Sequence, residues 1–176
     1  VEPLERQMQQ IEAVCRQNRV KEMRRATNPK EVEDLWRARR TVIGAAARLR
    51  PSYDLQDITV PRSELPKIIA AIRDISKRYD LPIGVLAHAG DGNLHPLTLF
   101  DRRNEDEVRR VHELQREIFQ RALELRGTLS GEHGIGLSKR AFLSMQYSPT
   151  EIALFKGLKR LFDPQNILNP HKILEP

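Results

Sequence analysis

Two histidines, His88 and His95, stand on either side of an Asp-Gly pair in the sequence HAGDGNLHP, residues 88–96. Asp-Gly favours a two-residue hairpin turn, and in that register the two histidines face each other across the strands. Directly opposed residues have Cβ atoms about 4.5–5.5 Å apart on one face of a sheet, so these imidazoles could bind one divalent cation. The spacing therefore predicts half of a metal site, in a register that depends on the turn type.

A second motif, SGEHGIG at residues 130–136, offers a carboxylate and a third histidine side by side. Its three glycines permit unusual backbone angles and the close approach of another group. Glu132 would complete a His-His-Glu ligand set with an open position for substrate, which is typical of a catalytic metal, and zinc is the expected ion. His133 would then lie beside the metal as a candidate general base.

The same residues also fit a simpler interpretation. His88 and His95 could hydrogen-bond inside a core, and Glu132 with His133 could belong to a polar surface loop. The histidine pair alone is weak support for a metal, and the glycine-flanked Glu-His motif strengthens it. The spacing by itself leaves both interpretations open.

Length and composition indicate a globular chain. It has 176 residues, 39% of them hydrophobic and 31% charged, which suits one compact domain or one domain with an appendage. No apolar run approaches the roughly 18 residues of a membrane-spanning helix. The single cysteine, Cys15, excludes an internal disulfide framework and favours a reducing compartment. We therefore expect a cytoplasmic location, with peripheral membrane attachment as the alternative.

The chain is basic, with a formal net charge of +6. Basic residues cluster at 21–25, 36–40 and 101–110, which raises the possibility of an anionic partner such as nucleic acid. Acidic residues are interleaved in two of these clusters, and aromatic residues are only 5%, so base stacking has little support. We interpret the clusters as solvated helix faces and expect no nucleic-acid partner.

The hydrophobic pattern alternates between helical and extended segments. Apolar residues at helical spacing predict helices over 3–17, 28–49, 62–79, 104–127 and 148–162. Alternation predicts an edge strand over 18–26, a strand over 53–61 and a hairpin over 81–100. Asn28 is a predicted N-cap, and Asn104 with Glu107 and Ser148 with Glu151 have capping-box spacing.

This order of elements predicts an α+β fold, with a ferredoxin-like antiparallel sheet, helices on one face and a C-terminal helical extension. We assign residues 1–147 to the α+β domain and residues 148–176 to the helical tail. The chain opens in a predicted helix without a strand before it, so we interpret it as a fragment that lacks the first strand of this domain.

Three motifs together resemble the C-terminal domain of FAD-linked oxidases, in the vanillyl-alcohol oxidase and p-cresol methylhydroxylase-like superfamily. They are HAGDGNLHP, SGEHGIGLSK and the closing FDPQNILNPHKIL at residues 162–174. The resemblance includes LWRARR and DITVPRSELP and covers nearly the whole chain. It is nearest to the branch that oxidises D-2-hydroxy acids, which contains the FAD-binding subunit of glycolate oxidase and flavin-dependent D-lactate dehydrogenases.

The resemblance implies roles for the residues of the first two motifs. In metal-dependent members the matching histidines and glutamate ligate a divalent ion, which implies that His88, His95 and Glu132 do so here. The histidine after that glutamate removes a proton during oxidation, so the resemblance gives His133 the role of base.

The resemblance also implies substrate and cofactor contacts. The arginine of the W-x-x-R segment pairs with the substrate carboxylate, which implies Arg39, and the closing N-P-x-K implies that Asn169 and Lys172 lie near the flavin. In relatives, a preceding domain holds most of the FAD. That domain is absent from this chain, so we expect the fragment alone to be inactive.

The substrate that the resemblance implies is a small D-2-hydroxy acid, oxidised to the 2-keto acid. Relatives that act on D-2-hydroxyglutarate have a lysine near the position of Leu55, so leucine favours glycolate or D-lactate. Electron-transfer subunits are the expected partners. Two alternatives remain open from the residues alone, a stand-alone metal-dependent hydrolase and a basic nucleic-acid-binding module.

Overall fold

The computed structural model describes residues 2–174 and divides the chain into two compact units, Val1–Gly44 and Ala45–Pro176. The first unit contains helix α1 (Glu2–Gln17) and most of helix α2 (Pro29–Ala46). The predicted cap of α2 is confirmed, because the Asn28 side chain accepts a hydrogen bond from the Glu31 backbone N–H at 3.0 Å. The predicted domain boundary between residues 147 and 148 stays a prediction.

The strand predicted over 18–26 is wrong. These residues form a turn and an irregular extended segment, and no strand pairs with them in the described part of the chain. The Arg25 guanidinium instead donates two hydrogen bonds to the Glu5 carboxylate of α1, at 2.9 and 2.6 Å, in a bidentate ion pair. An alternating pattern becomes a strand only where a neighbouring strand can supply the ladder hydrogen bonds, and here the side chains contact a helix.

The second unit contains the sheet and the remaining helices. In chain order its elements are β1 (Ser52–Leu55), β2 (Ile58–Thr59), a 3-10 turn (Arg62–Glu64), α3 (Leu65–Tyr79), β3 (Ile83–His88), β4 (Asn93–Phe100), α4 (Glu105–Glu124), a second 3-10 turn (Arg140–Phe142), α5 (Leu143–Gln146) and α6 (Pro149–Phe162).

The sheet is antiparallel, with β4 at its centre. β1 and β2 pair with one edge of β4 and β3 pairs with the other. On its free side, Thr59 of β2 forms an antiparallel bridge with Thr128. The order across the sheet is therefore the Thr128 bridge, β1 with β2, β4 and β3, which is the ferredoxin-like order with the last strand reduced to one bridge. This confirms the predicted α+β class.

The core lies between this sheet and helices α3 and α4. The fully buried side chains come from both helices and from the strands, and include Ile58, Ile68, Ile72, Leu94, Leu114, Ile118 and Phe119. The helical members recur at spacings of three and four residues, as a helix with one buried face requires. Burial of each Leu or Ile side chain stabilises the fold by about 1.5–3 kcal/mol, so this layer fixes the strands.

The predicted hairpin register is wrong by two residues. The turn has four residues, 89–92, so His88 pairs with Asn93 and His95 pairs with Leu86. The longer turn is fixed against the end of β2, where the Val60 N–H donates to the Gly92 carbonyl at 3.0 Å. Gly92 has a φ of 76°, and a Cβ there would lie 2.1 Å from the Val60 carbonyl oxygen, so only glycine fits.

The two predicted capping boxes differ in outcome. At α6 the box is complete, because the Ser148 and Glu151 side chains each bond the other's backbone N–H. At α4, Asn104 caps the helix as predicted, but the Glu107 carboxylate accepts from the Asp101 N–H at 2.7 Å instead. Glu107 thereby closes the turn after β4, an interaction that its spacing from Asn104 does not reveal.

Candidate metal centre

Three polar side chains from separate elements converge at one end of the sheet. His88 is the last residue of β3, His95 lies in β4, and Glu132 belongs to the irregular loop of residues 130–134, which follows the Thr128 bridge. His88 and His95 are diagonal neighbours across the strands. Such neighbours share a face of the sheet, and long side chains can span the gap between them. The three predicted ligand residues therefore lie close together, although the predicted hairpin register is wrong.

The distances within this cluster are short. The Nε2 atom of His95 lies 3.0 Å from Glu132 Oε1, and that of His88 lies 3.8 Å from the same oxygen. The rings of the two histidines are nearly perpendicular, with centroids 5.7 Å apart. One nitrogen or oxygen atom from each residue lies within 4.8 Å of the others, which makes this the one His, Cys, Asp and Glu cluster suited to a metal among residues 2–174.

The orientation of His95 suits a metal ligand. Its side chain is largely buried, and Nδ1 lies 3.3 Å from the Gln56 carbonyl oxygen. A carbonyl only accepts hydrogen bonds, so in a neutral imidazole Nδ1 carries the proton and the Nε2 lone pair is left for a cation bound between His95 and Glu132. A backbone carbonyl on the far nitrogen is the usual means of orienting a metal-binding histidine.

The donor set fits a divalent ion. Two nitrogen ligands and one carboxylate oxygen suit zinc, with ligand bonds of about 2.0–2.2 Å, so two ligands of one ion lie at most about 4 Å apart. Both measured contacts to Glu132 meet that limit. His88 and Glu132 are about half exposed, so small side-chain rotations can bring the remaining atoms into range.

His133 lies beside this ligand set. Its ring stacks on that of His95, with centroids 4.9 Å apart and an angle of 20° between the planes. Its Nε2 atom lies 3.7 Å from Glu132 Oε1, and its side chain is half exposed. A histidine so placed can reach a substrate bound at the open side of the cluster without itself being a necessary ligand.

The loop of residues 130–134 is fixed by Asp57, a residue that the sequence patterns did not indicate. The Asp57 carboxylate accepts hydrogen bonds from the Ser130 hydroxyl at 2.5 Å and from the His133 N–H at 2.9 Å. It also accepts from the N–H groups of Gly131 at 3.0 Å and Glu132 at 3.1 Å. Three consecutive N–H groups thus converge on one carboxylate, in the manner of an anion-binding nest.

Asp57 is paired with Lys139 in the interior. The Asp57 side chain is fully buried, and Lys139 Nζ lies 3.4 Å from its carboxylate while donating to the Asp57 and Leu129 carbonyls at 2.7 and 2.8 Å. Burial raises the pKa of Asp57, but the bonds from Ser130 and His133 and the charge of Lys139 outweigh it, so the pKa lies well below its usual range. Burial lowers the pKa of Lys139, and Asp57 opposes that shift.

One signal for Asp57 was present in the sequence. The stretch YDLQDITVP predicts a strand, and Asp57 lies in it directly before a buried isoleucine. A carboxylate in such a segment must find donors elsewhere in the fold, because burying a charge without partners is very costly. The pattern could have marked Asp57 as a paired residue, but not its partners, which are more than 70 positions away.

Gly131 is required by the approach of this loop to the sheet. A Cβ at this position would lie 2.3 Å from Thr59 Oγ1 and 2.7 Å from Asn93 Oδ1. Both oxygen atoms are buried, so these side chains cannot move aside into solvent. The glycine predicted to permit close approach of another group therefore does so, against β2 and β4.

Comparison with known proteins identifies the family. Residues 2–173 match the family described as FAD linked oxidases, C-terminal domain. The chain belongs to this family. The match spans both histidine motifs and the closing N-P-x-K, which are the residues that carried the resemblance.

Curated relatives of this FAD-linked oxidase C-terminal domain include enzymes of 2-hydroxy acids. It is 46% identical to the glycolate oxidase subunit GlcD of Bacillus subtilis over 98% of this chain and 37% of the relative. It is 39% identical to GlcD of Escherichia coli K12, over 86% and 30%. It is 40% identical to a probable mitochondrial D-lactate dehydrogenase of Danio rerio, over 98% and 35%. The chain spans about a third of the length of these relatives.

Three further residues predicted from the resemblance lie elsewhere in this FAD-linked oxidase domain. Arg39 is on α2 in the first unit, with its guanidinium 5.6 Å from the centre of the Trp36 ring. Asn169 and Lys172 line an apolar cavity of about 470 Å³ in the second unit, whose wall includes Ile135. The backbone holds the two together, because the Lys172 N–H donates to the Asn169 carbonyl at 3.2 Å. Their roles stay predictions.

Membrane insertion by a helix finds no support in the described residues. None of the helices within residues 2–174 combines the length and apolar character needed to cross a bilayer.

Proposed function

We propose that the protein oxidises a small D-2-hydroxy acid, glycolate or D-lactate, to the 2-keto acid with FAD as the electron acceptor. One observation carries the proposal, namely the convergence of His88, His95 and Glu132 with His133 beside them in an FAD-linked oxidase domain. The relatives named glycolate oxidase subunit and D-lactate dehydrogenase act on acids of this class. The ligand set would bind the substrate end that carries the hydroxyl and carboxylate.

The proposed chemistry divides between two groups of residues. His88, His95 and Glu132 would hold a divalent ion, zinc being the expected one, which when bound supplies a Lewis acid that lowers the pKa of the substrate hydroxyl. His133 would accept the hydroxyl proton, since its half-exposed ring adjoins the ligand cluster. Arg39 would pair with the substrate carboxylate through its planar guanidinium.

Oxidation removes one proton from the hydroxyl and one hydride from the α-carbon. FAD, when bound, supplies the acceptor for the hydride. Asn169 and Lys172 would lie near the flavin, as the resemblance implies, and the apolar cavity that they line supports this assignment because the dimethylbenzene side of a flavin ring is apolar. We propose that most of the FAD is held by a separate FAD-binding domain rather than by this chain.

The size of the substrate is proposed from Leu55. It lies in β1 opposite Leu97 of β4, and neither of these side chains could pair with a second carboxylate. A small monocarboxylate leaves no unpaired charge there, whereas a dicarboxylate would. We further propose electron-transfer partner subunits, supported by the relatives that are named as subunits. A cytoplasmic location is proposed from the single cysteine, which favours a reducing compartment.

The test is flavin reduction in the full-length protein under anaerobic conditions. We expect the flavin absorbance to bleach on addition of D-lactate or glycolate, and His133→Ala to slow bleaching by about 10²–10⁴-fold while the protein keeps its metal. His112→Ala is the matched control, because His112 is exposed on α4. Unchanged bleaching in His133→Ala would remove the base role, and no bleaching of the unmodified protein by either acid would refute the proposed substrate class.

A further inference from the structure

The break between β1 and β2 holds two consecutive residues that each contact the candidate metal centre. The Gln56 carbonyl meets Nδ1 of His95, and the Asp57 carboxylate accepts the backbone N–H groups of Glu132 and His133. The break itself is fixed to the central strand, since the Gln56 N–H donates to the Pro96 carbonyl at 2.9 Å. Residues 56 and 57 therefore orient two candidate ligands, His95 on β4 and Glu132 on the loop.

The loop of residues 130–134 depends on this point for its conformation. It contains no helix or strand, and its backbone N–H groups from 131 to 133 all donate to Asp57. The next N–H, of Gly134, donates at 2.7 Å to the Ser130 hydroxyl, which itself donates to Asp57. Every N–H group from Gly131 to Gly134 is thus satisfied by Asp57 directly or through one hydroxyl.

Backbone N–H groups held in this way fix the directions of the side chains between them. The Cα atom of Glu132 lies between two peptide groups that both donate to the buried Asp57 carboxylate. The Cα atom of His133 lies between one peptide group that donates to Asp57 and one that donates to the Ser130 hydroxyl. Their side chains are about half exposed, so apart from the stacking of His133 on His95, packing restrains them little. The direction in which each leaves the backbone is consequently set by Asp57.

We infer that Asp57 is the positioning residue of the metal centre, acting through the loop of residues 130–134 to hold Glu132 against His95 and His133 beside it. This inference rests on the proposed function insofar as it concerns a metal. Asp57 does not contact the metal-binding atoms, and its own carboxylate is filled by the loop donors and Lys139. Its effect on metal affinity is that of an outer residue that orients a ligand.

The experiment compares two aspartate-to-asparagine substitutions in the full-length protein. Asp57→Asn keeps the side-chain volume but replaces an acceptor oxygen with an NH₂ group that faces backbone N–H donors. Asp163→Asn is the matched control, because Asp163 is also buried, also pairs with a lysine and also accepts two backbone N–H groups, of Ile167 and Leu168, outside the loop.

The measurement is Zn²⁺ affinity by competition with a chromophoric chelator, at a temperature where circular dichroism shows each variant folded. We expect Asp57→Asn to weaken Zn²⁺ binding by about 10–100-fold, the usual cost of losing an outer orienting residue, and Asp163→Asn to leave it unchanged. Co²⁺ provides a second readout. The visible absorption bands of bound Co²⁺ should change in Asp57→Asn and not in Asp163→Asn, because they report the arrangement of the ligands.

Ser130→Ala serves if Asp57→Asn does not fold. It removes one donor to Asp57 and the acceptor of the Gly134 N–H but keeps the buried ion pair. We expect weaker Zn²⁺ binding with a smaller change than for Asp57→Asn. Unaltered affinity and Co²⁺ spectra in folded Asp57→Asn, or in Ser130→Ala where that is the variant measured, would overturn the positioning role and leave the proposed function standing. Absence of Zn²⁺ binding by the unmodified protein would overturn the metal assignment as well.

Discussion

Two buried aspartates each hold an irregular segment of the second unit, and they do so in different ways. Asp57 anchors the loop of residues 130–134, while Asp163, which follows α6, anchors the C-terminal segment of residues 163–174. Asp163 accepts hydrogen bonds from the N–H groups of Ile167 at 3.0 Å and Leu168 at 2.9 Å and pairs with Lys159. Each aspartate therefore combines backbone donors with one lysine.

The sequence separation of the partners distinguishes the two anchors. Asp57 bonds residues more than 70 positions away, and its partner Lys139 is buried. The partners of Asp163 lie within five positions, and Lys159 is about a third exposed. Asp57 ties its loop across the fold to the sheet, whereas Asp163 fixes only the local shape of its segment.

This difference in anchoring explains why the structure brings the candidate site residues of the loop, and not those of the C-terminal segment, together with residues of the sheet. Asp57 is far from the loop in the sequence, so it fixes the loop in one position relative to the sheet. Glu132 and His133 therefore lie against strand residues. The C-terminal segment has a local anchor at Asp163, and its apolar side chains Ile167 and Leu168 are exposed. A catalytic group must be held within a fraction of an ångström, which a local turn alone does not provide.

Removal of the lysine from each pair should give the largest contrast. Lys139→Met leaves the Asp57 carboxylate buried without its counter-ion, and breaking a buried pair in this way costs about 3–5 kcal/mol. Lys159→Met removes a partly exposed partner, for which we expect at most about 1 kcal/mol. Urea unfolding of both variants measures the two free energies.

Equal losses in the two lysine variants would contradict the distinction between a long-range and a local anchor. Methionine is the replacement at both positions because it retains the length of the lysine stem, so differences in packing contribute little. Besides pairing with the Asp57 carboxylate, Lys139 donates to the backbone carbonyls of Asp57 and Leu129, and its replacement removes those hydrogen bonds too, which adds to the expected loss.

The elements of the fold could be predicted from the sequence where the signal is local. Helices α3, α4 and α6 follow from apolar spacing and from caps such as Asn104 and Ser148. The strand predicted over 18–26 failed because an alternating pattern does not reveal whether a partner strand is present. The hairpin register failed because the turn is fixed by Val60, which lies some 30 positions away and contacts Gly92.

The candidate site also combines residues that a local pattern could select with one, Asp57, whose role it could not reveal. His88, His95, Glu132 and His133 could be selected as residue types at suitable spacing, and the structure brings them together. Asp57 could not be assigned its role, since its partners belong to a loop that meets it only in the folded state. Contacts between distant segments depend on the packing of the whole unit, which a local pattern does not encode.

Glycine-to-alanine substitutions in the two regions should have opposite signs. Gly131→Ala places a Cβ 2.3 Å from the buried Thr59 hydroxyl oxygen, and we expect a loss of about 1–3 kcal/mol together with weaker Zn²⁺ binding. Gly157→Ala, within α6, meets no atom within 4 Å and should stabilise by about 0.8 kcal/mol because alanine favours helix. Thermal unfolding measures both changes, and a stabilised Gly131→Ala variant would show that the loop does not pack as closely as described.

The smallest contrast concerns acid stability. The pKa of Asp163 is lowered chiefly by the hydrogen bond from Lys159, against the opposing effect of burial, and with help from the Leu168 and Ile167 N–H groups. The pKa of Asp57 is also lowered, because its donors outweigh the cost of burial. A carboxyl with a lowered pKa in the folded state binds protons more weakly there than in the unfolded chain. Its stabilising contribution is therefore complete above the ordinary pKa of 3.8 and is lost as the pH falls below that value.

Each aspartate-to-asparagine variant should consequently lose stability at neutral pH and depend less on pH in the acid range. We expect the flattening to be greater for Asp57→Asn than for Asp163→Asn, because Asp57 collects five donors, from Ser130, Lys139 and three backbone N–H groups. Urea unfolding between about pH 5 and about pH 2.5 gives the slope for each protein. Parallel curves for Asp57→Asn and the unmodified protein would mean that Asp57 has the same pKa in the folded and unfolded states, so the loop donors and Lys139 would not stabilise its ionised form.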